Sequence, residues 1–295
     1  MQETLLSMKR KKGLIIGLLV SMSVFIPLMV KWFLLHVHVG VPQPVFQSEQ
    51  VLAIESEYLT ETDSVMVYLP NSYADENKNY PVVYMLSGYS WNHRTFGELF
   101  NMDSLATTHE MILICPDGLY DSWYFNPPSD TTDHFESFFF HDLLPEVESR
   151  YRIDTNYRFI TGVSMGGHGA FYYFLRHPDR FRNAGSSSGV LNLKYSRTRD
   201  KILSDLLGPF PDSSHVFEQY SCTGQLGKKD LQQKVLYFDM GTEDYLLPSN
   251  HLFQEMCDSL DIQYEFHTYR GSHHPQFWKH SIPEHLSWFE QQVRK

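Results

Sequence analysis

The sequence predicts an α/β sandwich built on a mainly parallel sheet with helices on both faces. Three observations predict it. Strand-like runs alternate with helix-compatible ones over most of the chain, the order that produces a parallel sheet. Two runs, Pro81–Leu86 and Met111–Cys115, are almost continuously apolar, as strands covered on both sides are. The loops that carry the most reactive side chains all follow strand runs: after Leu86, after Cys115, at Ser164, after Phe238 and after Tyr269. In an open α/β sheet those strand ends share one edge, and binding sites form there.

Taken in order, Val51–Leu59 and Ser64–Pro70 read as two strands, a hairpin joined through Thr60–Asp63. Ala74–Tyr80 is polar and turn-like. The strand Pro81–Leu86 ends at Ser87-Gly88-Tyr89-Ser90. Thr95–Thr107 reads as a helix, and Met111–Cys115 as a buried strand that ends at Pro116-Asp117-Gly118. Asp121–Thr132 is a loop rich in Trp, Tyr, Pro and Asp. His134–Arg152 is mostly helical, with a break or restart near Pro145. Tyr157–Leu175 reads as strand, sharp turn and helix, closed by His177-Pro178-Asp179. Asn183–Ser188 is a short strand of small residues. Tyr195–Phe217 is irregular apart from a helix at Arg199–Leu207. Lys234–Asp239 is a strand, Ser249–Leu260 a helix, Ile262–Tyr269 a strand and Gln276–Val293 the last helix.

The 295 residues are 42% hydrophobic and 15% aromatic, which supports a packed core. The net charge of −11 argues against a nucleic-acid-binding protein, which would present a basic face. The N-terminus differs from the rest. Residues 1–12 end in Lys9-Arg10-Lys11-Lys12, and Gly13–Val30 is free of charge. With Lys31 and Trp32–Leu35 the stretch 13–35 is long enough to span a bilayer, which takes roughly 17–25 residues. Cations on its N-terminal side would stay in the cytoplasm. No A-x-A-like cleavage site follows, so an uncleaved signal anchor is preferred over a cleaved signal peptide. Either way residues 50–295 would be extracytoplasmic, with membrane contact through the N-terminal segment only. Residues 36–49, with Val41-Pro42-Gln43-Pro44, read as a linker. Cys115, Cys222 and Cys257 are widely spaced and give no disulfide framework or zinc pattern.

The chemistry centres on Gly162-Val163-Ser164-Met165-Gly166, a G-x-S-x-G motif between a strand and a helix. That context is the nucleophile elbow of α/β hydrolases. A serine at such a corner needs a strained backbone and small neighbours. Its hydroxyl needs a base to take its proton, and the base needs a group to orient it. The chain order Ser, acid, His is met past the next strands. Asp244 is the acid, with Glu243 and Asp239 as rivals. His273 is the base, with His274 as its rival. A metal site on the paired histidines lacks a third ligand at suitable spacing. His168 reads as structural. The oxyanion of the tetrahedral intermediate needs two donors. The backbone N–H groups of Met165 and Tyr89 are placed to supply them.

These motifs, with Leu86–His93, Ser122-Trp123-Tyr124 and Gly162–Ala170, resemble the putative-esterase family of α/β hydrolases. That family includes esterase D (S-formylglutathione hydrolase), feruloyl, acetyl-xylan and tributyrin esterases, and the antigen 85 mycolyltransferases. The resemblance covers roughly residues 50–292. It implies an α/β-hydrolase fold and hydrolysis of a carboxylic ester without a cofactor or metal. The triad would fall on Ser164, Asp244 and His273. Ser87-Gly88 stands where many members have His-Gly, and His274 where many have Asp. The expected partner is a small-molecule or carbohydrate ester. Trp123, Tyr124, Phe277 and Trp278 are the expected groove-lining residues. An acyltransferase, or a non-catalytic binding protein on the same fold, is the alternative.

Overall fold

The computed structural model describes residues 49–75, 77–128 and 133–295. The basic segment 1–12, the apolar segment 13–35 and all of the 36–49 segment except Glu49 lie outside the described residues. Among the described residues no helix is long and apolar enough to cross a membrane.

Among the described residues, eight strands form one sheet: β1 Glu49–Ile54, β2 Asp63–Tyr68, β3 Tyr80–Leu86, β4 Ile112–Pro116, β5 Ile153–Gly162, β6 Asn183–Ser187, β7 Leu236–Gly241 and β8 Tyr264–Tyr269. Their order across the sheet is β1-β2-β4-β3-β5-β6-β7-β8. The β1–β2 and β2–β4 pairs are antiparallel, and every pair from β4 to β8 is parallel. The expected hairpin is present, though β1 ends at Ile54 because the chain turns before Leu59. Strand β5 starts four residues before the expected run. Ile153 pairs with Tyr80 before a register shift, and Arg158–Gly162 then pair with Val82–Leu86.

Alternation along the central strands explains the two-sided packing. Val82, Tyr84 and Leu86 enter one apolar cluster with Ala170, Phe171 and Phe174 of the elbow helix Met165–Arg176 and with Phe135–Phe140. Val83 and Met85 enter the other, with Met102, Ala106 and Ile282, Leu286 and Phe289 of the C-terminal helix Pro275–Arg294. Phe289 stacks on Phe159 at 4.7 Å between ring centroids.

The expected helix over 95–107 is two helices, Thr95–Leu99 and Met102–His109. Asn101 interrupts it, since its side chain accepts the Ser104 N–H at 3.1 Å as an N-cap. The helix after His134 carries a π turn at Phe139–Leu143 just before Pro145. A proline needs no N–H partner there, so the chain continues as Leu144–Arg150. Ser214–Tyr220, within and after the stretch expected to be irregular, is helical. All three cysteines are buried and free.

Candidate active site

Ser164 sits at the β5-to-helix corner with φ 57° and ψ −111°. That region is costly for any residue with a Cβ, and it persists only where the surroundings fix it. Here the Ser164 N–H donates to the Ser187 carbonyl at 2.9 Å. The approach of the elbow to its neighbours admits no side chain at two positions. A Cβ on Gly162 would collide with the Gly166 carbonyl, and one on Gly166 with the Leu86 carbonyl. The glycines of the motif are therefore a packing requirement of the corner.

Asp244 and His273 lie on the loops after β7 and β8. Those loops are tied together where the Glu243 N–H donates to the Gly271 carbonyl at 2.8 Å and the Thr242 N–H to that of Tyr269. The structure joins the three side chains in one chain of hydrogen bonds. Ser164 Oγ lies 2.9 Å from His273 Nε2, and His273 Nδ1 lies 2.8 Å from Asp244 Oδ2. The second carboxylate oxygen, Oδ1, accepts the Leu246 N–H at 2.9 Å. With Nδ1–H donating to the fully buried carboxylate, Nε2 is left as the acceptor for the Ser164 hydroxyl.

The rivals take other places. Glu243 is exposed, 3.9 Å from Arg270. Asp239 is fully buried, 3.3 Å from His285 Nε2. His274 caps the C-terminal helix, its Nδ1 accepting the Gln276 N–H at 3.3 Å. His168 is wholly buried, with Nε2 2.9 Å from the Tyr220 carbonyl. Burial pushes its pKa down to about 4, so it is neutral.

Ser164 and His273 open into a cavity of about 270 Å³. Larger hollows, of about 400 and 690 Å³, lie near Glu49–Asp103 and Gly227–Gln263 and contain neither residue. Gly88, Tyr89 and Met165 line one side of the serine cavity. Met165 is the first residue of its helix, so its N–H has no acceptor within that helix. The Tyr89 N–H meets no acceptor among the described residues. Trp91, Trp123 and Trp278 form an indole wall. The Trp278 and Tyr245 rings both meet His273 edge-on, with ring centroids at 5.2 and 5.1 Å.

Two of the four expected groove residues are not at the cavity. Tyr124 is buried beneath it, edge-on to Phe135, with its hydroxyl donating to the Ser87 carbonyl at 2.9 Å. The phenol holds up the loop that carries Gly88 and Tyr89. Phe277, unlike its neighbour Trp278, does not line the cavity and packs beside Tyr269 and Gly271. Sequence reasoning missed Trp91, Val190, Arg197 and Tyr245 in the cavity wall. Tyr245 had a signal, since it follows Asp244 directly. Trp91 had one too, since it lies within Leu86–His93; Val190 and Arg197 come from loops whose course has no local signature.

A family model described as "Putative esterase" matches residues 56–289. The chain belongs to this esterase family. An esterase of Mycobacterium tuberculosis is 34% identical over 238 residues, which cover 71% of this chain and 52% of that protein. The chain thus spans about half the length of that relative. The S-formylglutathione hydrolase of Arabidopsis thaliana is 25% identical over 79% of this chain and 89% of its own. Among solved structures, a ferulic acid esterase matches with a TM-score of 0.70 and 25% identity, over 83% of this chain and 99% of that one. An S-formylglutathione hydrolase from Agrobacterium tumefaciens, 21% identical, shares the fold with a TM-score of 0.73 over 82% and 94% of the two chains. The esterase-family chain accordingly has an α/β-hydrolase-like fold, as the motifs implied.

Proposed function

We propose that this chain is a serine carboxylic-ester hydrolase working through an acyl-enzyme. The observation that carries the reading is the continuous Ser164–His273–Asp244 hydrogen-bond chain opening on a cavity. His273 Nε2 takes the Ser164 proton as Oγ attacks the ester carbonyl. The carbonyl oxygen becomes an oxyanion held by the N–H groups of Met165 and Tyr89. Asp244 stabilises the imidazolium without accepting its proton. His273 then gives the proton to the leaving alcohol oxygen, and the C–O bond breaks. Water enters, loses a proton to His273, and attacks the acyl-enzyme. The acid departs and Ser164 regains its proton.

The test uses the full chain and its Ser164→Ala variant on 4-nitrophenyl acetate, butyrate and octanoate. Hydrolysis should fall by about 10³-fold or more in the variant. Undiminished turnover would sink the mechanism. A cavity of this size would favour the short acyl chains.

The ester is proposed to be met outside the cytoplasm. Support comes from Lys9–Lys12 ahead of the uncharged run Gly13–Val30. Protease added to intact cells should remove the 50–295 part. Protection until the membrane is opened would place it inside.

A further inference from the structure

We propose that Arg197 selects esters whose leaving group carries a carboxylate. The inference rests on the ester-hydrolase reading of the same cavity and adds a substrate class to it. Arg197 lines that cavity together with Ser164 and His273. Its guanidinium lies over the Tyr245 ring, 3.8 Å from the centroid, and the Tyr245 ring meets His273. Stacking holds the planar cation by its face and leaves its N–H edge open for a two-point contact with an oxygen pair.

The segment around Arg197 shows that this cation is reserved. Lys194 pairs with Glu218 at 3.0 Å, and Arg199 pairs with Asp200 at 2.7 Å. Arg197, between them, has no ion pair or hydrogen bond among the described residues; its contact is the Tyr245 ring. Its backbone is fixed by the residues on either side. The buried Ser196 hydroxyl accepts the Thr198 N–H at 3.2 Å and bonds the Thr198 hydroxyl at 2.9 Å. Arg197 is thus held at the tip of a small tied turn, next to an otherwise aromatic and apolar wall.

Position decides which half of the ester it reads. His273 delivers its proton to the leaving oxygen, so the leaving group occupies the His273 side of Ser164. Arg197 is one ring away on that side, across Tyr245. The chain as a whole carries −11, so its general field does not draw an anion in. A local guanidinium does that at short range.

Two measurements test the proposal. In the Ser164→Ala full chain, quenching of tryptophan fluorescence would give the affinities for 4-hydroxybenzoate and for its uncharged methyl ester. The carboxylate should bind more tightly. Adding Arg197→Met, which keeps an apolar stem on Tyr245, should cost the carboxylate about tenfold or more in affinity relative to the methyl ester, the size expected of a charged hydrogen-bonded contact. Arg197→Lys should restore part of it. Equal weakening of both ligands would mean a packing role and would overturn the proposal, as would no weakening. With Ser164 intact, the ratio of kcat/KM for 4-acetoxybenzoate over methyl 4-acetoxybenzoate should fall by a similar factor in Arg197→Met. An unchanged ratio would overturn it. Carboxylate binding through Arg197 with neither ester turned over would sustain the anion site and sink the hydrolase reading instead.

Discussion

At Asp244 the two carboxylate oxygens do different things. One holds His273 by its Nδ1–H, and the other accepts the Leu246 N–H that fixes the carboxylate itself. Glu243, its neighbour, has neither partner and points to solvent. The order of the motifs made the meeting of Ser164, Asp244 and His273 legible, because the topology brings the loops after successive strands to one edge. Orientation was not legible. Adjacent aromatic residues on one loop or helix, Trp123 with Tyr124 and Phe277 with Trp278, split between cavity and core. Residue type carries no sign of which way a ring points. The split leads to a clean comparison. Asp244→Asn should lower kcat by about 10³- to 10⁴-fold, through loss of the correct imidazole tautomer. Glu243→Gln should stay within about threefold, as for an exposed charge with a weak partner. Steady-state kinetics on one neutral ester checks both, and a large effect of Glu243→Gln would reassign the acid.

The elements explain why distant parts of the chain meet. Strands β3, β5, β7 and β8 are parallel, so the loops after Leu86, Gly162, Gly241 and Tyr269 leave the same edge of the sheet. Continuous apolar runs marked β3 and β4 in the sequence, since both faces are covered. Strand β5 was legible only in its second half. Its first residues, Ile153–Asn156, include Asp154 and Asn156, which are poor strand formers. Pairing of Ile153 with Tyr80 overrides that preference. The reverse holds at Asn101, where the apolar pattern of a single helix gives way to a local cap. The helix Ser214–Tyr220 escaped notice because a seven-residue segment is too short for periodicity to stand out. It bears on the site indirectly, by presenting the Tyr220 carbonyl to His168 of the elbow helix.

Across the whole molecule, two buried titratable groups tie stability to pH with opposite sign. Asp63, fully buried at the start of β2, has its pKa pushed up to about 8 by burial, with the charge of Asp117 adding to the rise. His168 is pushed down to about 4 by burial. Unfolded, the two titrate near 3.8 and 6.5. Between about pH 4 and 6.5 the native state holds one proton more than the unfolded state at Asp63 and one fewer at His168, so their slopes oppose. From 6.5 to 8 only Asp63 differs. The native state there still binds the extra proton, and stability falls as pH rises, by about 2 kcal/mol over the interval at roughly 1.4 kcal/mol per pH unit. Asp63→Asn keeps a carbonyl oxygen for the Asp117 N–H, which Asp63 Oδ1 accepts at 3.3 Å, and removes the titration. Denaturant unfolding at pH 6.5 and at pH 8 should therefore show the wild type losing about 2 kcal/mol more than Asp63→Asn. The same variant leaves His168 unopposed, so it should lose more stability than the wild type on going from pH 6.5 to pH 4. Parallel pH profiles for the two proteins would mean that Asp63 is ionised in the fold, and a carboxylate there would need a cationic partner that the described residues do not supply.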